Sequence, residues 1–375
     1  MRELEPNFER LIRAAELPDP EDRLDAACAD FLSRLERPRL RRRRFVPVAA
    51  AAVAFAAVLG VILTPTPDRS PGPAPPRRVV QDDAVTSGLR WLVRRQNPDG
   101  SWGGGRTALD GIALDKPGVT GVVMLAILGA GYSHLSVDVL DDRKMGEVVE
   151  SGLRFLQEDL GPDGRFRAAV GALDQALAAE ALSEAYGMTG TRRFKDPAQA
   201  AIRGLEGLQR DDGSWGDGTT SLWAASAMTS AEISGLEFSA AARERLRAFY
   251  ARRNAPDADE LIVRIMAEKH RNHPAVKAVA EALKSTLPAP DEPIGRLYVR
   301  THAAYLYDGP KGELWEAWNG PFKTSVLPRL DKHGAWAGAD DDERIVHTSL
   351  ATLCLEVYYR YENVRNATPA VGGDK

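Results

Sequence analysis

A pattern of glycine, glutamine and tryptophan recurs along the chain and constrains its fold more than any other feature. Residues 88–102 read GLRWLVRRQNPDGSW, and residues 209–215 repeat the second half as QRDDGSW. Two degenerate copies, residues 152–166 and 330–336, carry leucine in place of the glutamine. A segment repeated in order predicts an array of similar supersecondary units. The pattern residues are Gln96, Gly100, Trp102, Gly164, Phe166, Gln209, Gly213, Trp215, Gly334 and Trp336.

Each copy has the chemistry of a turn that follows a helix. Asp-Gly forms tight turns, and glycine tolerates the positive φ that often follows a helix end. The glutamine amide is placed to bond helix-terminal backbone groups that lack partners. The tryptophan can bury a large apolar face between neighbouring repeats. We therefore assign the pattern residues a structural role.

Two kinds of helical segment alternate between these turns. Residues 145–156 and 198–208 carry apolar residues on one face, whereas residues 118–132, 171–187 and 349–359 are apolar nearly all round. A one-sided helix lies at a surface, and a helix that is apolar all round is enclosed. The alternation predicts two concentric layers, with the apolar helices inside.

The repeated pattern resembles the QW motif of squalene and oxidosqualene cyclases, Gly-x-x-aromatic-aliphatic-x-x-x-Gln-x-x-x-Gly-x-Trp. The resemblance covers residues 81–362, and residues 346–361 look like the last inner helix of bacterial prenyltransferase/squalene-oxidase-repeat proteins. In these families the repeats close around a central cavity. The resemblance implies an all-α fold, an α/α-toroid of two concentric rings with five to six helical hairpins. Residues 273–287 and 296–307 fit one hairpin without the motif.

The acid motif of these cyclases is missing. Squalene-hopene cyclases protonate their substrate with Asp-x-Asp-Asp, and the nearest string here is Asp340-Asp341-Asp342-Glu343. Asp340, Asp341 and Asp342 are thus the catalytic acids that the resemblance suggests. Acidic residues also favour a helix N-terminus for electrostatic reasons alone. A carbocation cavity needs aromatic rings, and the inner helices are mainly alanine, valine and leucine.

The zinc site of protein prenyltransferases is also incomplete. That family binds zinc with Asp, Cys and His, and Val346-His347-Thr348 resembles the string that carries its histidine. The chain has no Asp-x-Cys, and Cys354 follows His347 by seven residues on the same predicted helix. Zinc sites use three or four protein ligands. We therefore expect no cofactor, with zinc at His347 as the alternative.

Other residues become candidates through their place on the predicted toroid. A ligand site is expected at the cavity ends, where inner helices begin or where polar and aromatic groups interrupt apolar runs. These residues are Asp115, Asp174, Asp217, Trp223, Tyr305 and His347.

An inverting glycosidase on a helical barrel is a further alternative. It would need two carboxylates about 6.5–9.5 Å apart across a cleft. Six acidic residues could contribute to such a pair, but the sequence does not show which two would lie together. They are Asp110, Asp115, Asp174, Glu180, Asp217 and Glu316.

The N-terminal quarter predicts a membrane anchor. Residues 45–63, FVPVAAAAVAFAAVLGVIL, form an uncharged stretch long enough to span a bilayer as one helix. Arginines at 39 and 41–44 precede it, which predicts a cytoplasmic N-terminus and a toroid outside the cytoplasm of a bacterial cell. The predicted order is a cytoplasmic helical segment (1–44), the transmembrane helix (45–63), a proline-rich linker (64–80), the toroid (81–362) and a disordered tail (363–375).

Two functions remain open from the sequence. The first is a membrane-anchored binding module for a lipid-like ligand or a protein partner, because the repeat framework is kept while the catalytic positions are not. The second is an isoprenoid-processing enzyme with a non-standard acid or metal site. A net charge of −4 argues against a nucleic-acid partner.

Overall fold

The computed structural model describes residues 76–357, except residues 170, 254–255 and 269–270. The predicted cytoplasmic segment, transmembrane helix and C-terminal tail lie outside the described residues. Within the described part, no helix combines the length and apolar character needed to cross a bilayer. The first helix begins at Pro76, so the end of the predicted linker is helical. Proline suits this first helical position because its missing N–H has no partner there in any helix.

Twelve α-helices form the described part of the chain, with two short antiparallel hairpins between them. The strands are β1 (Thr107–Leu109), β2 (Ile112–Leu114), β3 (Val139–Leu140) and β4 (Arg143–Lys144). The helices are α1 (Pro76–Arg94), α2 (Lys116–Gly129), α3 (Met145–Asp159), α4 (Ala172–Thr189), α5 (Arg192–Glu206), α6 (Gly218–Ile233), α7 (Ala240–Ala251), α8 (Ala258–Glu268), α9 (Pro274–Ser285), α10 (Ile294–Asp308), α11 (Glu313–Val326) and α12 (Asp341–Leu355).

The even-numbered helices form a closed inner ring. Each packs against the next in the order α2, α4, α6, α8, α10 and α12, and α12 packs against α2. The odd-numbered helices lie outside this ring; α1, for example, packs on both α12 and α2. Every residue from Pro117 to Leu128 in α2 is buried, as expected for an inner helix that is apolar all round.

The ring contains six hairpins, two of which lack the turn motif. The pair α9 and α10 matches the hairpin predicted at residues 273–287 and 296–307. The pair α7 and α8 was missed, because the sequence analysis allowed for only one hairpin without the motif. Asp259, Glu260 and Arg264 are charged, so the sequence of α8 lacks the all-round apolar character expected of an inner helix.

The motif tryptophans complete the ends of the outer helices. Each is buried, and each indole N–H donates to a carbonyl ten residues earlier, in the last turn of the preceding outer helix. Carbonyls at this position lack the regular i+4 partner of a helix, and Leu92 O and Leu205 O also accept a backbone N–H three residues further on. The bonds run from Trp102 Nε1 to Leu92 O (2.7 Å), from Trp215 Nε1 to Leu205 O (2.7 Å) and from Trp336 Nε1 to Val326 O (2.8 Å).

The motif glutamines connect neighbouring hairpins, and this corrects the role predicted for them. Gln96 Nε2 donates to Gly100 O in its own turn (3.0 Å) and to Val148 O in α3 (2.9 Å). Gln209 makes the equivalent bonds to its own turn and to α7. Val148 lies inside the next outer helix rather than at a helix end. The glutamine therefore ties each turn to the next hairpin, while the tryptophan bonds the helix-terminal carbonyl.

A glycine in each motif turn lies against the backbone of another outer helix. Gly100 has φ +90°, and a Cβ placed there would lie 2.2 Å from Ser151 O of α3. Gly334, in the last turn, has φ +88°, and its Cβ would lie 2.6 Å from Ser87 O of α1. Only glycine suits both the dihedral angle and the distance. The contact at Gly334 joins the last hairpin to the first outer helix.

A different glutamine replaces the one missing at Leu160. Gln175, buried in α4, donates from Nε2 to Gly164 O and to Ala201 O, both at 2.8 Å. Its Oε1 accepts the backbone N–H of Phe166 at 3.1 Å. The inner helix therefore supplies the hydrogen bonds that the degenerate turn has lost.

Replacing Trp215 tests the role of the turn motif. Trp215→Ala should lower the free energy of unfolding by about 3–5 kcal/mol, because it removes a buried ring and the bond to Leu205 O. Trp215→Phe should cost less, because a ring remains. Urea denaturation of both variants measures the difference. A thermal midpoint within about one degree of wild type for Trp215→Ala would contradict burial between repeats.

Gln175 provides a second test. Gln175→Leu should destabilise the fold by about 2–3 kcal/mol, because it leaves buried backbone groups without partners. Leu160→Gln in the otherwise unaltered chain should change the stability by less than about 0.5 kcal/mol, because Gln175 already occupies both acceptors. Thermal unfolding of the single and double variants gives the coupling between these sites. Full rescue by Leu160→Gln would show that the two positions are interchangeable.

Candidate functional site

The three acids suggested as catalytic lie where the last helix meets the first turn. Asp340 caps the first turn of α12, and Asp342 accepts the backbone N–H of Gly104 at 3.0 Å. Asp341 forms an ion pair with Arg95 at 3.1 Å, and 66% of its side chain is exposed. These contacts join the two ends of the ring at its surface. None of the three carboxylates has the burial that keeps a catalytic acid protonated.

His347 lies on the first turns of the same helix. Its Nδ1 is 2.6 Å from Ala337 O, and its Nε2 is 3.9 Å from Glu343 Oε1. Cys354 is buried further along α12, and burial raises the pKa of its thiol. Among the described residues, no three His, Cys, Asp or Glu side chains are grouped so that they could hold a metal ion. The structure thus gives His347 no set of further ligands.

The predicted aspartates at the starts of inner helices are found there. Asp115 precedes α2 and lies 3.7 Å from Arg106. Asp174 is fully buried near the start of α4, where Oδ1 accepts the backbone N–H of Asp115 at 2.8 Å. Asp217 caps α6 by accepting the N–H of Thr220 at 2.7 Å. All three form local structural bonds at one end of the inner ring.

The β1–β2 hairpin extends over this same end of the ring. Asp110 and Gly111 form its tip, with φ +49° and +83°. The Asp110 carboxylate reaches the start of α10, where a Cβ on Gly295 would lie 2.4 Å from Oδ2. Leu109 and Leu114 anchor the strands in the core. The hairpin therefore connects the α1–α2 link with α10, on the far side of α12.

A carboxyl group with an unusual pKa lies at this end of the ring. Burial, and then repulsion from Asp257, raise the pKa of Asp259 to about 7. Asp217 and Asp110 add further repulsion, whereas Arg253 acts in the opposite direction. A carboxyl that titrates near neutral pH can donate or accept a proton. Asp259 is not among the residues predicted from the sequence, although the acidic string at residues 257–260 was an available signal.

The interior of the ring between α6, α8 and α10 is filled with side chains. Trp223 stacks on Tyr298, with ring centroids 5.1 Å apart and planes at 8°. The cavity that remains there has a volume of about 10 Å³ and is also lined by Ser226 and His302. Pockets for small-molecule ligands measure about 300–1,000 Å³. Trp223 therefore fills interior space, and a terpene does not fit in this cavity.

The remaining predicted residues do not share a cleft. Tyr305 packs edge-to-face on Trp315 of α11, with centroids 5.1 Å apart, so its ring lies between the two layers. Glu180 is buried in the inner ring and accepts a hydrogen bond from Ser226 at 2.7 Å. Glu316 is exposed on the outer helix α11. Glu180 and Glu316 therefore do not form a glycosidase pair.

Comparison with known proteins shows a terpene cyclase-like fold. The apo structure of the type II terpene cyclase MstE from Scytonema aligns with a TM-score of 0.54 at 12% identity, over 75% of this chain and 98% of that chain. A variant of that enzyme, in complex with geranylgeranyl dihydroxybenzoate as substrate, aligns with a TM-score of 0.53 at 11% identity, over 77% and 98%. No family model and no curated protein matches the sequence. At this identity the likeness establishes the fold alone.

The raised pKa of Asp259 predicts that replacing this residue stabilises the fold more at high pH than at low pH. Because the folded-state pKa lies above the unfolded value of 3.8, the folded protein binds the extra proton, and stability falls as pH rises from about 4 to about 7. Asp259→Asn removes the buried charge, so it should stabilise the fold by about 1–3 kcal/mol at pH 8 and by less than about 0.5 kcal/mol at pH 3.

Asp212 provides the matched control for this measurement. Hydrogen bonds from Ser214 lower the pKa of its carboxyl, so Asp212→Asn should destabilise the fold more at pH 8 than at pH 3. Thermal unfolding between pH 3 and pH 8 reports both variants. An Asp259→Asn effect that does not change with pH would contradict the buried, repelled carboxylate.

Proposed function

We propose that this chain is a membrane-anchored binding module that uses a terpene cyclase-like toroid as a rigid scaffold and does not cyclise terpenes. The cavity of about 10 Å³ between α6, α8 and α10 is the observation on which the proposal depends. Polyene cyclisation needs a folded chain of many carbons inside the enzyme. A protein partner that binds at the surface requires no interior space.

The contacts of the acids support the same conclusion. A cyclase needs a protonated acid that faces its substrate. Asp340 and Asp342 accept hydrogen bonds from backbone N–H groups, and Asp341 pairs with Arg95, so each of the three carboxylates has a structural partner. A buried Trp223 stacked on Tyr298 likewise leaves no open aromatic surface for a carbocation.

The anchor is the second part of the proposal. The uncharged stretch 45–63, preceded by arginines, is the basis for placing the toroid on the outer face of a bacterial membrane. Residues 64–75 then separate the anchor from α1.

Product analysis and lipid analysis test the proposal together. The full-length protein, purified from its membrane in mild detergent, should convert neither squalene nor geranylgeranyl dihydroxybenzoate. Its organic extract should contain no isoprenoid in stoichiometric amount by mass spectrometry. A cyclised product would overturn the non-catalytic assignment. One equivalent of a bound isoprenoid would overturn a binding module that acts without using the interior of the ring.

A catalytic role remains the second candidate, and one observation favours it. Asp259 titrates near pH 7 among other carboxylates at the end of the ring that the β1–β2 hairpin covers. An acid–base reaction at this end would depend on Asp259 rather than on Asp340 to Asp342. If any turnover is detected, Asp259→Asn should abolish it and Asp341→Asn should not. The reverse result would identify Asp341 of α12, rather than Asp259, as the catalytic acid.

A further inference from the structure

The small cavity inside the ring has room for one water molecule. Its volume is about 10 Å³, and Trp223, Ser226, Tyr298 and His302 supply the polar part of its lining. A buried water needs about 10–15 Å³ of such space and two to four hydrogen-bonding partners. The cavity is therefore at the lower limit for one water and too small for anything larger.

Trp223 requires a hydrogen-bond acceptor that the described residues do not supply. Its side chain is 1% exposed, and its Nε1 has no acceptor in the described part of the chain. Trp102, Trp215 and Trp336, in contrast, each donate to a backbone carbonyl. Buried polar groups in native proteins almost always have a protein or water partner. Because Trp223 lines the cavity, an acceptor within the cavity is the simplest partner for its N–H.

Two other lining residues offer acceptors: Ser226, three residues from Trp223 on α6, and His302 on α10. Ser226 donates its hydroxyl hydrogen to Glu180 Oε1 at 2.7 Å, so its oxygen is left to accept from another donor. His302 Nδ1 lies 2.8 Å from Tyr298 O, and a carbonyl can only accept, so Nδ1 carries a hydrogen. In the neutral ring Nε2 is then an acceptor. A water molecule can accept the hydrogen bond of the Trp223 N–H and donate its two hydrogens to Ser226 Oγ and His302 Nε2.

We propose that this cavity binds a single ordered water, which accepts the Trp223 N–H and donates to Ser226 Oγ and to the His302 ring. This goes beyond the proposed function, because it makes the middle of the ring a hydrated polar site that connects α4, α6 and α10.

Water-selected NMR on the unaltered chain tests the site. In full-length deuterated protein with ¹⁵N-labelled tryptophan, the Trp223 indole proton should show a dipolar cross-peak to water. The indole protons of Trp102, Trp215 and Trp336 serve as internal controls. These three are buried and bonded to carbonyls, so they should show none. A Trp223 signal without a water cross-peak, like those of the controls, would overturn the proposal.

Two further measurements assign the site. Trp223→Phe identifies the resonance, and Ser226→Ala should remove the cross-peak while the Trp223 resonance remains. A cross-peak of unchanged intensity in Ser226→Ala would refute the acceptor role of Ser226. If Trp223→Phe does not fold, a crystal structure of the unaltered chain decides. Density for one oxygen within about 3.2 Å of Trp223 Nε1 supports the proposal, and an empty cavity refutes it.

Discussion

The contact between a turn glycine and the backbone of the neighbouring outer helix holds this fold together. At Gly100 and Gly334 the turn lies so close to that helix that a Cβ would overlap a carbonyl oxygen. This closeness lets one amide, from Gln96 or Gln175, bond the turn and the helix together. Because the last turn contacts the first outer helix, a local motif produces a closed ring rather than an open superhelix.

Closure of the ring does not determine what fills its centre. That depends on the size and charge of the side chains that point inward. In this chain Trp223 and Tyr298 stack between α6 and α10. Glu260 and Arg264 form a buried ion pair on α8 at 2.8 Å. The ring of this chain is therefore partly filled with aromatic and charged groups. The architecture is similar to that of a terpene cyclase, whereas the space between α6, α8 and α10 is filled with side chains.

Local chemistry could be predicted from the sequence, and contacts between distant residues could not. The helical, terpene cyclase-like fold follows from residues close together in the chain, and the structure confirms it; Trp102 bonds Leu92 O, only ten residues earlier. Gln175 replaces a glutamine fifteen positions earlier, which no pattern in the sequence shows. The pKa of Asp259 depends on carboxylates from other elements, so only the folded ring brings that cluster together.

Hydrogen exchange in mild denaturant tests the closed ring most directly. The account predicts that amides of α2 and α12, near the ends of the described chain, exchange as slowly as those of α4. Amides of α8 and α10, in the hairpins without motif turns, should exchange first. An open array of repeats would instead lose protection from its terminal hairpins inward. Early exchange in α2 and α12, with α8 and α10 still protected, would contradict closure of the ring.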